Sequence, residues 1–241
     1  MSSALPILIV LTGRTHAHIR QRLGDFDDWI AVGLREGGAK VRTHDARGDQ
    51  PPPPLHSISG IVITGSHAMV SDRERWSEAL VPWLQQAVKH SVPTLGICYG
   101  HQLLAHALGG EVTHHPEGVE IGTVKVQRHP QTQDDPLLGH LPSIFEAQAV
   151  HWQTVRRLPP GAVVLASNAH EPHHAFRWGT NAWGVQFHPE FSGEALRAYL
   201  ECLGPTMARE GQDATQISAR VKNTPEAASV LATFARLART P

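Results

Sequence analysis

The chain has 241 residues, 41% of them hydrophobic, enough for one large α/β core or a core with a small appendage. Its 21 Lys and Arg balance 22 Asp and Glu to a formal net charge of -1. That argues against the basic stripe of a nucleic-acid surface, and no apolar run approaches the ~20 residues of a membrane-spanning helix.

Residues 1–6 lack a basic leader region, and the apolar run Ile7–Leu11 is too short for a signal segment. With only Cys98 and Cys202, a disulfide framework is not expected, and a reducing cytoplasm is the expected location. Ile7–Leu11 reads as a buried strand of a parallel sheet. Residues 25–34 set Phe26, Trp29, Ile30 and Leu34 at helical spacing, and Gly37-Gly38 stops that helix. Residues 41–44 form a second strand, Pro51 to Pro54 a stiff loop, and residues 58–64 a third strand ending at Gly65-Ser66. Residues 72–90 give an amphipathic helix that packs Trp76, Leu80, Trp83, Leu84 and Val88 into a core. Residues 92–97 form a fourth strand running into Cys98, followed by a helix over 102–108 with Gly109-Gly110 at its end. This alternation predicts an α/β fold: an open, mostly parallel twisted sheet with helices on both faces, flavodoxin-like.

From Glu111 the pattern changes to short strands near Val112 and at 121–126, 144–150, 163–166, 174–177 and 183–187. These are predicted to form antiparallel additions before returning to the sheet. Residues 192–203 resume as a helix. The predicted division is a catalytic-type domain over 1–204 and a C-terminal helical extension over 205–241. Thr224-Pro225-Glu226 opens a helix in that extension, and its Val230, Leu231, Phe234 and Leu237 stripe packs on its own domain or makes a homodimer or partner contact.

Gly96-Ile97-Cys98-Tyr99-Gly100 sits between a strand and a helix. This is the setting of a nucleophile elbow, with Cys in place of Ser. Small neighbours permit the sharp turn, and the positive end of the following helix favours a thiolate. An isolated cysteine is more often a small buried hydrophobe, and Cys202 is read that way because it lacks the glycine frame. Gly184-Val185-Gln186-Phe187-His188-Pro189-Glu190 follows another apolar strand. Extended backbone projects His188 and Glu190 to one side, so the carboxylate can orient the imidazole as a general base. By itself the pair is equally well explained by one of 17 histidines beside a helix-capping Glu. Joined to the Cys98 elbow, it becomes a Cys-His-Glu constellation. His114-His115, His173-His174 and His16/His18 lack metal-ligand spacing, so no metal and no cofactor are expected.

Both motifs, Gly96 to Leu104 and Gly184 to Glu190, resemble those of class I glutamine amidotransferases. The likeness covers roughly residues 5–200. Gly118 to Gly122 and Leu158 to Ala162 make it nearest to the glutaminase domain of GMP synthase and its free-standing relatives. The resemblance implies catalysis by Cys98, His188 and Glu190, with a cysteinyl thioester intermediate. It implies oxyanion donors at the backbone N–H groups of Tyr99 and Gly65, and substrate contacts at Gln102, Gly100, Gly118, Val119, His151 and Trp152. The loop Thr64-Gly65-Ser66-His67-Ala68 departs from the family's Gly-Gly-Pro run, and His151-Trp152-Gln153 departs from a His-Gly-Asp type segment.

The implied function is hydrolysis of the glutamine side-chain amide, giving glutamate and ammonia for an acceptor or a synthetase partner. No Gly-x-x-x-x-Gly-Lys-Ser/Thr loop that could activate an acceptor is found in the sequence. Two alternatives stand beside it: a γ-glutamyl peptide hydrolase using the same three residues, and a non-enzymatic binding or regulatory subunit on the same fold.

Overall fold

The computed structural model describes residues 5–239, so the leaderless reading of residues 1–4 lies outside the described residues, as do residues 240–241. The chain begins with β1 (Ile7–Leu11), α1 (Ala17–Leu23), α2 (Phe26–Glu36), β2 (Val41–Asp45), β3 (Gly60–Ile63), α3 (Arg75–Lys89), β4 (Thr94–Ile97) and α4 (Tyr99–Ala107). It continues through β5 (Glu111–His114), β6 (Glu120–Arg128), β7 (Ile144–His151), β8 (Gln153–Arg157), β9 (Val163–Ser167), β10 (Ala175–Trp178) and β11 (Ala182–Val185). It ends with α5 (Gly193–Arg209), α6 (Ala214–Ala219) and α7 (Pro225–Leu237).

Nine strands form one sheet in the order β2-β1-β3-β4-β11-β10-β9-β6-β7. The first five are parallel to their neighbours. From β11 onward the pairing is antiparallel, as the change of pattern after Glu111 predicts. The expected strand at Val112 does not join this sheet. It pairs instead with β8 as a separate ribbon. The polar sequence Gln153-Thr154-Val155-Arg156-Arg157 gave β8 no readable apolar alternation.

Period-two alternation assigns the strands to two cores. Ile7 and Ile9 face one side with Val62, Leu95 and Val185, where Ile30 and Leu34 of α2 and Phe234 of α7 cover them. Leu8 and Val10 face the other side with Ile61 and Ile63, beneath Leu80 and Leu84 of α3 and Leu103 of α4. A third cluster joins α1, α5, Phe191 and Val119 at one end of the sheet. Asp25 starts α2 with a reciprocal capping box to Asp28.

The helices differ from expectation in three ways. α1 was not foreseen, because Ile19 is its one buried residue and seven residues give little periodicity. α4 begins at Tyr99, directly on Cys98. α5 runs through Gly204-Pro205 to Arg209, so the expected division after residue 204 falls inside a helix. Burial of Met207 in the third cluster outweighs the local cost of proline there. The apolar stripe of α7 packs within the chain: Val230, Leu231 and Phe234 are buried with α2. Gly33 permits that approach, since a Cβ there would lie 2.7 Å from Leu231 Cδ1.

Candidate active site

The site lies at the carboxyl ends of the parallel strands β1, β3, β4 and β11, where open α/β sheets bind ligands. Register pairs Ile97 with Val185, so the segments leaving β4 and β11 start side by side. Cys98 N–H donates to Val185 O at 2.9 Å, and His188 N–H donates to Gln148 O at 2.8 Å. Two strands distant in sequence thus fix the two backbones.

Cys98 has φ +50° and ψ -103°, outside the ordinary regions for a side-chain-bearing residue. The glycines around it explain how this turn fits. A Cβ on Gly96 would collide with the carbonyl of Gly100, and one on Gly100 with the carbonyl of Ile63. The thiol is nearly buried, with Sγ 3.7 Å from Val150 O.

His188 is buried and interacts electrostatically with the Cys98 side chain, while its Nδ1 lies 2.7 Å from Glu190 Oε1. Burial alone would favour the neutral ring. The Glu190 carboxylate and the Cys98 sulfur overcome it and push the imidazole up to about 10. The arrangement can therefore hold a proton on His188 beside a sulfur nucleophile. Phe191 stacks on the imidazole at 4.1 Å between ring centroids and limits its rotation.

Gly65 comes close to this pair: a Cβ there would stand 3.1 Å from His188 Cε1 and 3.8 Å from Cys98 Cβ. Tyr99 is the first residue of α4, so its N–H has no intrahelical acceptor. The unusual loop is tied to the end of β1, because Ser66 Oγ donates to Thr12 O at 3.0 Å and Thr12 Oγ1 donates to Gly65 O at 3.1 Å.

A pocket of about 260 Å³ opens over Cys98. Of the residues expected to contact substrate, Gln102, His151 and Trp152 line it. Gly100, Gly118 and Val119 do not. Gly100 packs on β3, Gly118 takes φ +81° in a turn, and Val119 is buried with its carbonyl accepting from Gln212 Nε2 at 3.0 Å. The Gln102 amide is itself engaged, donating to Gln153 O at 2.8 Å and to Gln186 Oε1 at 2.9 Å. It braces the pocket floor.

Behind His151 lies a buried carboxylate that sequence reasoning passed over. His151 Nε2 is 2.9 Å from Glu120 Oε2, and His174 Nε2 stands 3.0 Å from the same oxygen, off-axis for a straight hydrogen bond. Burial opposes the charge on Glu120, but the bond from His151 and the adjacent His174 ring hold it well below the usual carboxylate range. This is the one trio of metal-ligand type among the described residues whose donor atoms lie within 4.8 Å of one another. Its contacts are shorter than the ~3.3 Å between ligands set ~2.0–2.1 Å from a tetrahedral zinc. Asn168 Nδ2 occupies the other oxygen at 2.6 Å. These are the dimensions of a charge-assisted hydrogen-bond cluster.

Sequence reasoning also missed the aromatic wall of the pocket: His16, Phe26, His67, Phe191 and Tyr199. They come from five separate elements and loops, and each alone reads as core or loop. His67 Nε2 lies 3.2 Å from Tyr199 Oη, and burial, with His16 beside it, lowers its imidazole to about 4.

The sequence matches the profile of the family described as glutamine amidotransferase class-I over residues 24–201. It is 33% identical over 227 residues to a glutamine-hydrolysing GMP synthase of Aeropyrum pernix, covering 90% of this chain and 40% of that one. It is 30% identical over 201 residues to a γ-glutamyl-L-1-hydroxyisopropylamide hydrolase of Pseudomonas, covering 74% of this chain and 64% of that one. The chain therefore spans less than two thirds of either relative. The fold superimposes on a crystal structure of a glutamine amidotransferase from Methylobacillus flagellatus with TM-score 0.75 and 26% identity, covering 98% of this chain and 94% of that one. The match over residues 24–201 takes in both the Cys98 elbow and the His188-Glu190 strand end, and the chain belongs to the class I glutamine amidotransferase family.

Proposed function

We propose that the chain hydrolyses the γ-amide of glutamine, or of a γ-glutamyl compound, through a thioester on Cys98. The observation that carries this reading is the contact of His188 with Cys98 on one side and with Glu190 at 2.7 Å on the other. The Cys98 sulfur adds to the γ-carbonyl. The oxygen that becomes negative is met by the N–H groups of Tyr99 and Gly65. His188 gives its proton to the departing nitrogen as the C–N bond breaks, and Glu190 stabilises the imidazolium before transfer. Water, deprotonated by His188, then cleaves the thioester to release glutamate and restore the thiol. The step needs no group beyond these side chains, the two N–H donors and water.

The likeness to the A. pernix GMP synthase favours ammonia as the released product, delivered to an acceptor on a synthetase partner. A second reading rests on the Pseudomonas relative, whose name describes cleavage of an N-substituted γ-glutamyl amide. The intact Cys98, His188 and Glu190 contacts weigh against a purely regulatory subunit.

Purified protein incubated with glutamine and with γ-glutamyl amides is expected to release glutamate, with the activity lost in Cys98→Ser. A glutamine-mimicking electrophile is expected to label Cys98. Absence of both turnover and labelling would overturn the reading.

A further inference from the structure

The proton transfer to the leaving group fixes where that group lies. His188 must protonate the departing nitrogen, so anything bonded to that nitrogen projects among the neighbours of His188. Those neighbours form a continuous aromatic chain. Phe191 stacks on His188 with centroids 4.1 Å apart. Phe26 lies parallel to Phe191 at 6.2 Å, and Tyr199 lies 5.1 Å from it. His67 and His16 extend the wall, 4.6 Å from each other. Ammonia alone gives such a surface nothing to contact.

Charge points the same way. Of the 17 residues lining the pocket, none is Lys, Arg, Asp or Glu. Arg14 and Arg20, in the loop and helix after β1, are 3.4 and 3.9 Å from Asp25 and are not among the lining residues. His67 stays neutral down to about 4, because burial and the adjacent His16 resist its protonation. A carboxylate carried by the leaving amine, as in a γ-glutamyl dipeptide, would enter this wall with no Lys or Arg to meet it, the His188 imidazolium being already paired with Glu190.

We infer that the substrate is a γ-glutamyl amide of an uncharged, apolar or aromatic amine, whose N-substituent packs against the Phe26, His67, Phe191 and Tyr199 wall. This rests on the acyl-transfer reading of Cys98 and His188 above. The bonds exchanged are the same: the γ-carbonyl carbon leaves nitrogen for sulfur, then sulfur for water, and the amine departs with the His188 proton. The glutamyl head is common to every candidate and cancels from any comparison among them.

The test measures kcat/KM for glutamine, γ-glutamylethylamide, γ-glutamylbutylamide, γ-glutamylbenzylamide and γ-glutamylglycine on one preparation. Each added methylene is expected to raise kcat/KM about fourfold. The benzylamide is expected to exceed γ-glutamylglycine by about 100-fold or more. Leu203 also lines the pocket, four residues beyond Tyr199 on the same helix face. Leu203→Trp is therefore expected to lower the benzylamide-to-glutamine ratio at least about tenfold through loss of fit. Because the ratio is taken within one preparation, partial unfolding cancels. Hydrolysis that depends on Cys98 but prefers glutamine or γ-glutamylglycine, or a ratio unmoved by Leu203→Trp, would overturn this inference and leave the acyl-transfer reading standing. Failure of every substrate together with no labelling of Cys98 would overturn both.

Discussion

Glu190 reaches His188 from two residues away, and Pro189 between them leaves the link little freedom to relax. Its replacement by Gln keeps the shape and removes the charge that favours the imidazolium. Glu190→Gln is expected to lower kcat for glutamate release by about 100- to 10,000-fold, the usual contribution of general acid–base catalysis, measured on the fraction that remains folded because the buried pair with His188 also stabilises the fold. An unchanged kcat would show that the carboxylate is a structural cap. Cys98, His188 and Glu190 were legible in the sequence because each sits in a contiguous motif whose glycines and proline have a backbone reason to be there. The contact between Glu120, His151 and His174 was not legible. Its members are separated by dozens of residues, and only the pairing of β6 with β7 brings Glu120 opposite His151. The aromatic wall escaped for the same reason, since nothing local distinguishes Phe26 or Tyr199 from ordinary core residues.

At the scale of elements, the alternation of apolar runs and amphipathic segments predicted the parallel half of the sheet nearly strand by strand. It failed where packing overrides local preference. Pro205 reads as a stop, yet α5 carries on because its last turns are anchored by Met207 and by α6. β8 was invisible because a ribbon of two strands needs no long alternating pattern. α7 is the element whose stability can be tested most directly, since its stripe covers β1 and β11 alongside α2. Phe234 is fully buried there, and Trp183 meets it edge-on at 6.5 Å. Phe234→Ala is expected to cost about 3–5 kcal/mol in denaturant unfolding, with the m-value retained. A cost near zero would mean that α7 is a dispensable appendage.

For the whole molecule, His188, His67 and Glu120 are among the buried groups that shape the pH dependence of stability, and His101, fully buried and lowered by that burial, adds to the acid side. His188 is raised to about 10, so its contribution is complete below its ordinary ~6.5 and is lost as pH rises from there through about 10. His67 is lowered to about 4, so its contribution is complete above ~6.5 and is lost as pH falls through about 4. Glu120 is also held low, and adds a further loss on the acid side below the ~4.3 of an ordinary Glu. Thermal midpoints measured against pH are therefore expected to peak near ~6.5. His67→Gln should flatten the acid limb, and His188→Gln the alkaline limb. A monotonic curve would contradict the assignment.

The strand order has one more consequence. β4 and β11 are spatial neighbours, yet residues 98–181 lie between them in the chain. On a ribosome adding roughly 5–20 residues each second, Cys98 emerges several seconds before His188. During that interval it lacks both the His188 contact and the second wall of its pocket. A nascent chain therefore carries Cys98 through the crowded early stage of synthesis without the His188 contact, and makes that contact only when the last parallel strand slides in beside the fourth.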